Sequence, residues 1–173
     1  MKNKGSVFFI ANEVWNFFTD SMNFEKQTKD SFNILGISVR TTGANGQDKA
    51  DIAKLWQRFF EENISQKISN KKNSHIINLY TDYNQDEKGE YTTILGFEVE
   101  SIGEVPLGMV GKFFAKDNYA VLKSSGKSPQ AVQEAWNKVY SSNLKRTYTA
   151  DFDIYDSMNA AGDVEFRTFV SIE

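Results

Sequence analysis

Asp151-Phe152-Asp153-Ile154-Tyr155 alternates acid, apolar, acid, apolar, aromatic. Successive side chains of a β-strand point to opposite faces. Asp151, Asp153 and Tyr155 therefore share one face, and Phe152 and Ile154 share the other. The apolar pair is assigned to the core. The remaining face sets carboxylates beside a phenol ring, the combination that holds an organic cation through opposite charge and a ring face. The same alternation also fits a half-buried strand whose acidic face is solvated, and the stretch by itself leaves both readings open.

Working outward, residues 157–163 read as a hairpin loop and 164–172 as a returning strand. In that strand Val164, Phe166, Thr168, Val170 and Ile172 alternate with Glu165, Arg167, Phe169 and Ser171. Upstream, Val132, Ala135, Trp136, Val139 and Tyr140 form the apolar stripe of a helix over about 130–142, with Ser128 as its N-cap and Pro129 at its first position. Residues 112–116 and 119–123 read as strand segments, and 124–129 as a turn. The first half repeats this order. A strand over 32–40 is followed by a helix over about 48–64 with Ile52, Leu55, Trp56, Phe59 and Phe60 as its stripe. Then come a strand over 76–83, a hairpin loop over 84–89 and a strand over 91–100.

The two helices carry central tryptophans 80 residues apart (136 − 56), and the following strands carry tyrosines 75 apart (155 − 80). A duplicated βαββ unit follows, about 24–101 and 103–173, in one domain over 23–173. The expected fold class is α+β: a mostly antiparallel sheet with two helices on one face and a ligand cleft at the pseudo-two-fold axis. The cleft is expected on the face away from the helices, as a concave surface. Asn78 and Asp153 are equivalent positions there, as are Tyr80 and Tyr155, and only one member of the first pair is charged.

The chain has 173 residues, one histidine and no cysteine, which excludes disulfides, thiol nucleophiles and thiolate metal sites and argues against multi-histidine metal centres. A net charge of −3, with no dense Lys/Arg cluster except Lys71-Lys72, argues against direct nucleic-acid binding. The 14 Phe, seven Tyr and three Trp suit a dense core or an aromatic-walled pocket. Residues 1–22 read as an N-terminal amphipathic helix, with Val7, Ile10, Val14 and Phe17 on one stripe and Phe8, Ala11, Trp15 and Phe18 on another. That segment is a candidate for homodimer formation or for docking on a partner. Its apolar run, Ser6 to Ala11, is too short for a membrane span and no clean cleavage site follows it, and the segment as a whole is too short for a helix-turn-helix domain. A cytoplasmic location without membrane contact is the expectation.

Phe97-Glu98-Val99, Pro106, Tyr119-Ala120-Val121, Gly126, Trp136, Tyr140 and Asp151-Phe152-Asp153-Ile154-Tyr155 together resemble the GyrI-like effector-binding domains. These form the C-terminal ligand-binding modules of AraC- and MerR-type multidrug regulators and the stand-alone versions carried on integron cassettes. The resemblance covers about 24–173. It implies the duplicated fold inferred above and the binding of lipophilic organic cations in an aromatic-lined cleft, with a central acid in the strand at 151–155. That acid is usually Glu in the family, whereas the matching position here is Asp153, one methylene shorter.

The expected ligand-binding residues are Asp153, Tyr155, Tyr80, Asn78, Glu98, Tyr91, Trp136, Phe97 and Trp56. Glu98 or Glu100 is a candidate second acid, and Trp56 and Trp136 read first as core anchors. No cofactor or metal is expected. The alternative is a hydrolase of small lipophilic electrophiles, with Asp153 or Glu98 as general base and Tyr80 or Tyr155 as proton partner. The glycines at 103–112 lack phosphate-loop spacing.

Overall fold

A computed structural model describes residues 24–173. The helix expected over 1–22, and the homodimer contact assigned to it, lie outside the described residues. One sheet is built from β1 (Glu25–Lys29), β2 (Phe32–Thr42), β3 (Ile76–Thr81), β4 (Glu90–Val99), β5 (Val110–Phe114), β6 (Asp117–Lys127), β7 (Ala150–Met158) and β8 (Asp163–Ser171). Two helices, α1 (Gln47–Glu61) and α3 (Gln130–Tyr140), pack on one face, and a one-turn helix α2 (Ile64–Lys67) follows α1. Strand order is β1-β6-β8-β7-β3-β4-β2-β5, with every neighbouring pair antiparallel. This is the α+β arrangement that the sequence implies. The units β2-α1-β3-β4 and β6-α3-β7-β8 meet where β3 pairs with β7.

The outer strands are exchanged. β1 leads into the first unit but pairs with β6 of the second, whereas β5 leads into the second unit but pairs with β2 of the first. Only Asp30-Ser31 separate β1 from β2, and only Ala115-Lys116 separate β5 from β6. Each of these links joins strands six places apart in the sheet. Two residues span no more than about 10 Å, so the sheet must curl until its two ends approach. Phe32 stacks on Phe114 at 5.2 Å between centroids and meets Phe152 edge-on at 5.5 Å, and Phe152 stacks on Phe169 at 4.7 Å. With Ile34, Ile77, Leu79 and Tyr119 these rings fill the concave side. Gly36 and Gly96 face each other in the β2–β4 ladder. A Cβ on either would lie 2.2 or 2.1 Å from a carbonyl oxygen of the opposite strand, a separation that only glycine permits.

The helices cover the convex face. Leu55 and Phe59 of α1 pack on Leu35, Ile37, Leu95 and Phe97. Ala131 and Ala135 of α3 pack on Leu122, Tyr155 and Phe166. Two expectations change here. The face bearing Asn78, Tyr80, Asp153 and Tyr155 lies beneath the helices, not opposite them, because the aromatic core occupies the concave side. In addition, Ser128 does not cap α3: Pro129 holds the N-cap position without a side-chain bond. β6 runs through Ser124-Ser125-Gly126 to Lys127 because its ladder with β8 continues to Asp163.

Candidate functional site

Asn78 of β3 lies directly opposite Asp153 of β7. In the same ladder Ile76 faces Tyr155 and Tyr80 faces Asp151. A 75-residue step maps each of these flanking pairs onto the other (76 to 151, 80 to 155), so the pseudo-two-fold axis passes through the Asn78–Asp153 pair. The outer neighbours obey the same step (168 − 93). The Thr93 hydroxyl donates to Asn78 Oδ1 at 2.8 Å, and the Thr168 hydroxyl donates to Asp153 Oδ1 at 2.6 Å.

Asp153 is wholly buried. Its Oδ2 accepts from the Tyr80 hydroxyl at 3.1 Å and from Trp136 Nε1 at 3.0 Å. Asn78 Nδ2 in turn donates to the Tyr80 hydroxyl oxygen at 2.9 Å. All three donors to the carboxylate are neutral groups. Burial pushes the Asp153 carboxyl up to about 6, against the pull of the bonds from Thr168, Trp136 and Tyr80. Burial, and then the neighbouring Asp153 charge, holds Tyr80 well above the ordinary phenol range, which keeps it a donor. The Tyr80 ring meets Trp136 edge-on at 5.1 Å and Tyr91 at 6.1 Å.

The structure thus gathers Asp153, Asn78, Tyr80, Trp136 and Tyr91 into one cluster. Tyr155 stands one step along the same face and meets Trp56 edge-on at 5.1 Å. Tyr91 donates its hydroxyl to Asp48 of α1 at 2.9 Å. Phe97 does not join the cluster, because it packs under α1 against Phe59 at 5.8 Å. Glu98 points to the concave side, where Lys29 and Lys72 bond it at 3.0 and 3.1 Å. It is no second acid for Asp153. Burial raises the Glu98 carboxyl, but the bonds from the two lysines bring it below its ordinary value.

Sequence reading did not pick out Thr168, Thr93, Tyr83 or Arg146. A signal existed for Thr168, since it interrupts the apolar set of β8 at a core-facing position. Arg146 lies in an irregular connection and carried none. Its Nη2 donates to Asp151 Oδ2 at 2.8 Å, and its Nη1 donates to Glu87 Oε2 at 2.9 Å. Tyr83 also donates to Asp151 Oδ2, at 3.0 Å, while the Ser171 amide and hydroxyl hold Oδ1 at 2.7 and 2.9 Å. Two carboxylates on one strand face are therefore treated differently: Asp151 has a cation, and Asp153 has neutral donors. Cavities of about 530 and 540 Å³ lie elsewhere, one beside Ser124, Glu134 and Phe166 and the other beside Lys29, His75 and Glu98. Among the described residues no group of three or more His, Asp or Glu could hold a metal ion, and no helix is long and apolar enough to cross a membrane.

Residues 27–172 match the family described as integron-associated effector binding protein. YobU of Bacillus subtilis (strain 168), named for a role in transcriptional regulation, is 31% identical over 137 residues, which cover 76% of this chain and 85% of YobU. The integron cassette protein VCH_CASS2 from the mobile metagenome of Vibrio cholerae superposes with a TM-score of 0.68 at 29% identity, over 85% of this chain and 95% of that one. SAV2435, solved with tetraphenylphosphonium bound, superposes with a TM-score of 0.70 at 17% identity, over 88% of this chain and 94% of its own, and shares the fold. The duplicated βαββ sheet is thus shared with a known group, and this chain belongs to the integron-associated effector-binding protein family.

Proposed function

We propose that the protein is a receptor for lipophilic organic cations, with Asp153 as the counter-charge and the rings of Trp136, Tyr80, Tyr91, Tyr155 and Trp56 as the contact surface. One observation carries this reading: a wholly buried carboxylate sits on the axis with neutral donors alone. An ion held this way costs several kcal/mol in an apolar interior. A delocalised cation about 4 Å away would offset that cost by roughly 4 kcal/mol at an effective dielectric near 20. Ring contacts and buried ligand surface add to it. Membership in an effector-binding family supports a small-molecule ligand, and the tetraphenylphosphonium held by SAV2435 supports the cationic class.

Entry requires the Trp136 indole to leave Asp153, because the carboxylate is sealed while that bond is made. Asn78 serves by orienting Tyr80, and Phe97 and Glu98 fall outside the proposed site. The test is a fluorescence titration with tetraphenylphosphonium and with neutral triphenylphosphine oxide. Asp153→Asn should weaken the cation by about 10- to 100-fold, or ~1.4–2.7 kcal/mol, and leave the neutral compound nearly unchanged. Equal weakening of both would remove the charge role.

A further inference from the structure

The Arg146 side chain is only 7% exposed, and its guanidinium lies in a cage built largely by other elements. Asp151 comes from β7, Glu87 and Tyr83 from the β3–β4 connection, and Tyr140 and Trp136 from α3. The ring of Tyr148 lies 4.2 Å from the guanidinium carbon, and those of Tyr140 and Trp136 lie at 6.0 Å. The Tyr148 hydroxyl donates to the same Glu87 oxygen that Arg146 uses, at 2.8 Å. Two carboxylates and a ring face are the recognition chemistry of a planar cation. The occupant fits incompletely: Arg146 Nε is buried with no hydrogen-bond partner among the described residues. An orphaned buried donor forfeits its bond to water without a replacement, so the cage is matched to the two terminal nitrogens and not to the third.

The geometry points to a second cation site, occupied by Arg146 in the free protein and complementary to an external amidinium. An amidinium presents the same fork of two nitrogens to Asp151 and Glu87 but lacks the third N–H, so it fills the cage with no orphan. When Arg146 withdraws, the walls from β7, α3 and the β3–β4 connection remain to receive it. Because Arg146 also lies against Trp136, which bonds Asp153, exchange at the cage removes a neighbour from the indole that seals the axial acid. The inference stands beside the proposal for Asp153, and either can fail alone.

Calorimetric titration of the full chain tests it, with butyramidinium as probe, butyramide as its neutral counterpart and n-propylguanidinium as the form that restores the third N–H. Arg146→Ala should bind butyramidinium at least about tenfold more tightly than the unmodified protein does. Butyramide should show no such gain. Adding Asp153→Asn to Arg146→Ala should leave the gain intact, whereas adding Glu87→Gln should reduce it. Should Arg146→Ala fold poorly, millimolar butyramidinium should restore its near-ultraviolet circular dichroism and butyramide should not. The cage is overturned by no gain and no restoration, by an equal gain for butyramide, or by a gain that Asp153→Asn abolishes. Tighter binding of n-propylguanidinium would overturn the amidinium assignment.

Discussion

Asn78 and Asp153 face each other across β3 and β7, and each is served by a threonine from the next strand outward, Thr93 for the amide and Thr168 for the carboxylate. One position, used twice by a duplicated unit, holds a neutral side chain in one copy and an ionisable one in the other. The backbone and the donor are shared, so the pair is an internal control for the effect of the charge.

Asp153 makes stability depend on pH in a stated direction. Its folded value of about 6 lies above its ordinary value of 3.8. The folded state therefore binds the proton more readily than the unfolded chain. The cost of the ionised form is fully present above pH 6 and relieved as pH falls towards 4. Asp153→Asn removes the titration. Between pH 4 and pH 8 the difference between variant and unmodified protein should move in the variant's favour by roughly 2–3 kcal/mol. Urea unfolding at the two pH values measures it, and a difference independent of pH would contradict the assignment.

The threonine pair separates a bond to a charge from a bond to an amide. Thr168→Val should cost about 1.5–3 kcal/mol at pH 8, and Thr93→Val about 0.5–1.5. The gap should narrow at pH 5, where Asp153 is largely protonated. Equal costs at both pH values would mean that the carboxylate does not rely on Thr168.

The glycine contact between β2 and β4 makes a prediction about folding alone. With a Cβ at residue 96 placed 2.1 Å from the Leu35 carbonyl oxygen, Gly96→Ala must open the ladder. The expected loss exceeds about 4 kcal/mol, read as a collapse of the thermal midpoint or as insoluble protein. A loss near 1 kcal/mol, the ordinary penalty of a poor strand substitution, would show that the strands can separate cheaply there.

Glu98 is predicted to matter for stability and not for ligand. Its ion pairs with Lys29 and Lys72 tie β1 and the segment before β3 to β4 on the concave side. Because its folded value is lowered, its contribution is present above the ordinary glutamate range and lost as pH falls through the folded value. Glu98→Gln should cost about 1 kcal/mol at low salt and less at high salt, with tetraphenylphosphonium affinity unchanged. A loss of cation affinity would return Glu98 to the site.

Much of the fold was legible because its signals are local. The stripe from Leu55 to Phe60, the alternation of β8 and the 75-residue step between Tyr80 and Tyr155 depend on neighbours in the chain. β1 was not legible: Glu25-Lys26-Gln27-Thr28-Lys29 has no apolar alternation, and its place is set by a ladder with β6, about 90 residues away. The face of the sheet that carries Asp153 was misread for a similar reason. Alternation shows that Asp153 and Phe152 diverge, but both faces of this sheet are buried, and only the curl imposed by the Asp30-Ser31 and Ala115-Lys116 links decides which one the helices cover. Of the site, the acid, the tyrosine beside it and the tryptophan above it were visible as residue types on predicted elements. Arg146 was not, since a cation in an irregular connection announces no partner until the chain has closed around it.

The exchange of β1 and β5 has a consequence for how the molecule can come apart. Each half of the duplication ends in an edge that only the other half's leading strand completes, so neither half is a finished object by itself. Cleavage in the connection around Gly103 should therefore yield two fragments that stay together, and separate expression should yield fragments that fold only when mixed. The protein would open as one cooperative unit, and a ligand held against Asp153, where β3 pairs with β7, would be felt by both copies at once.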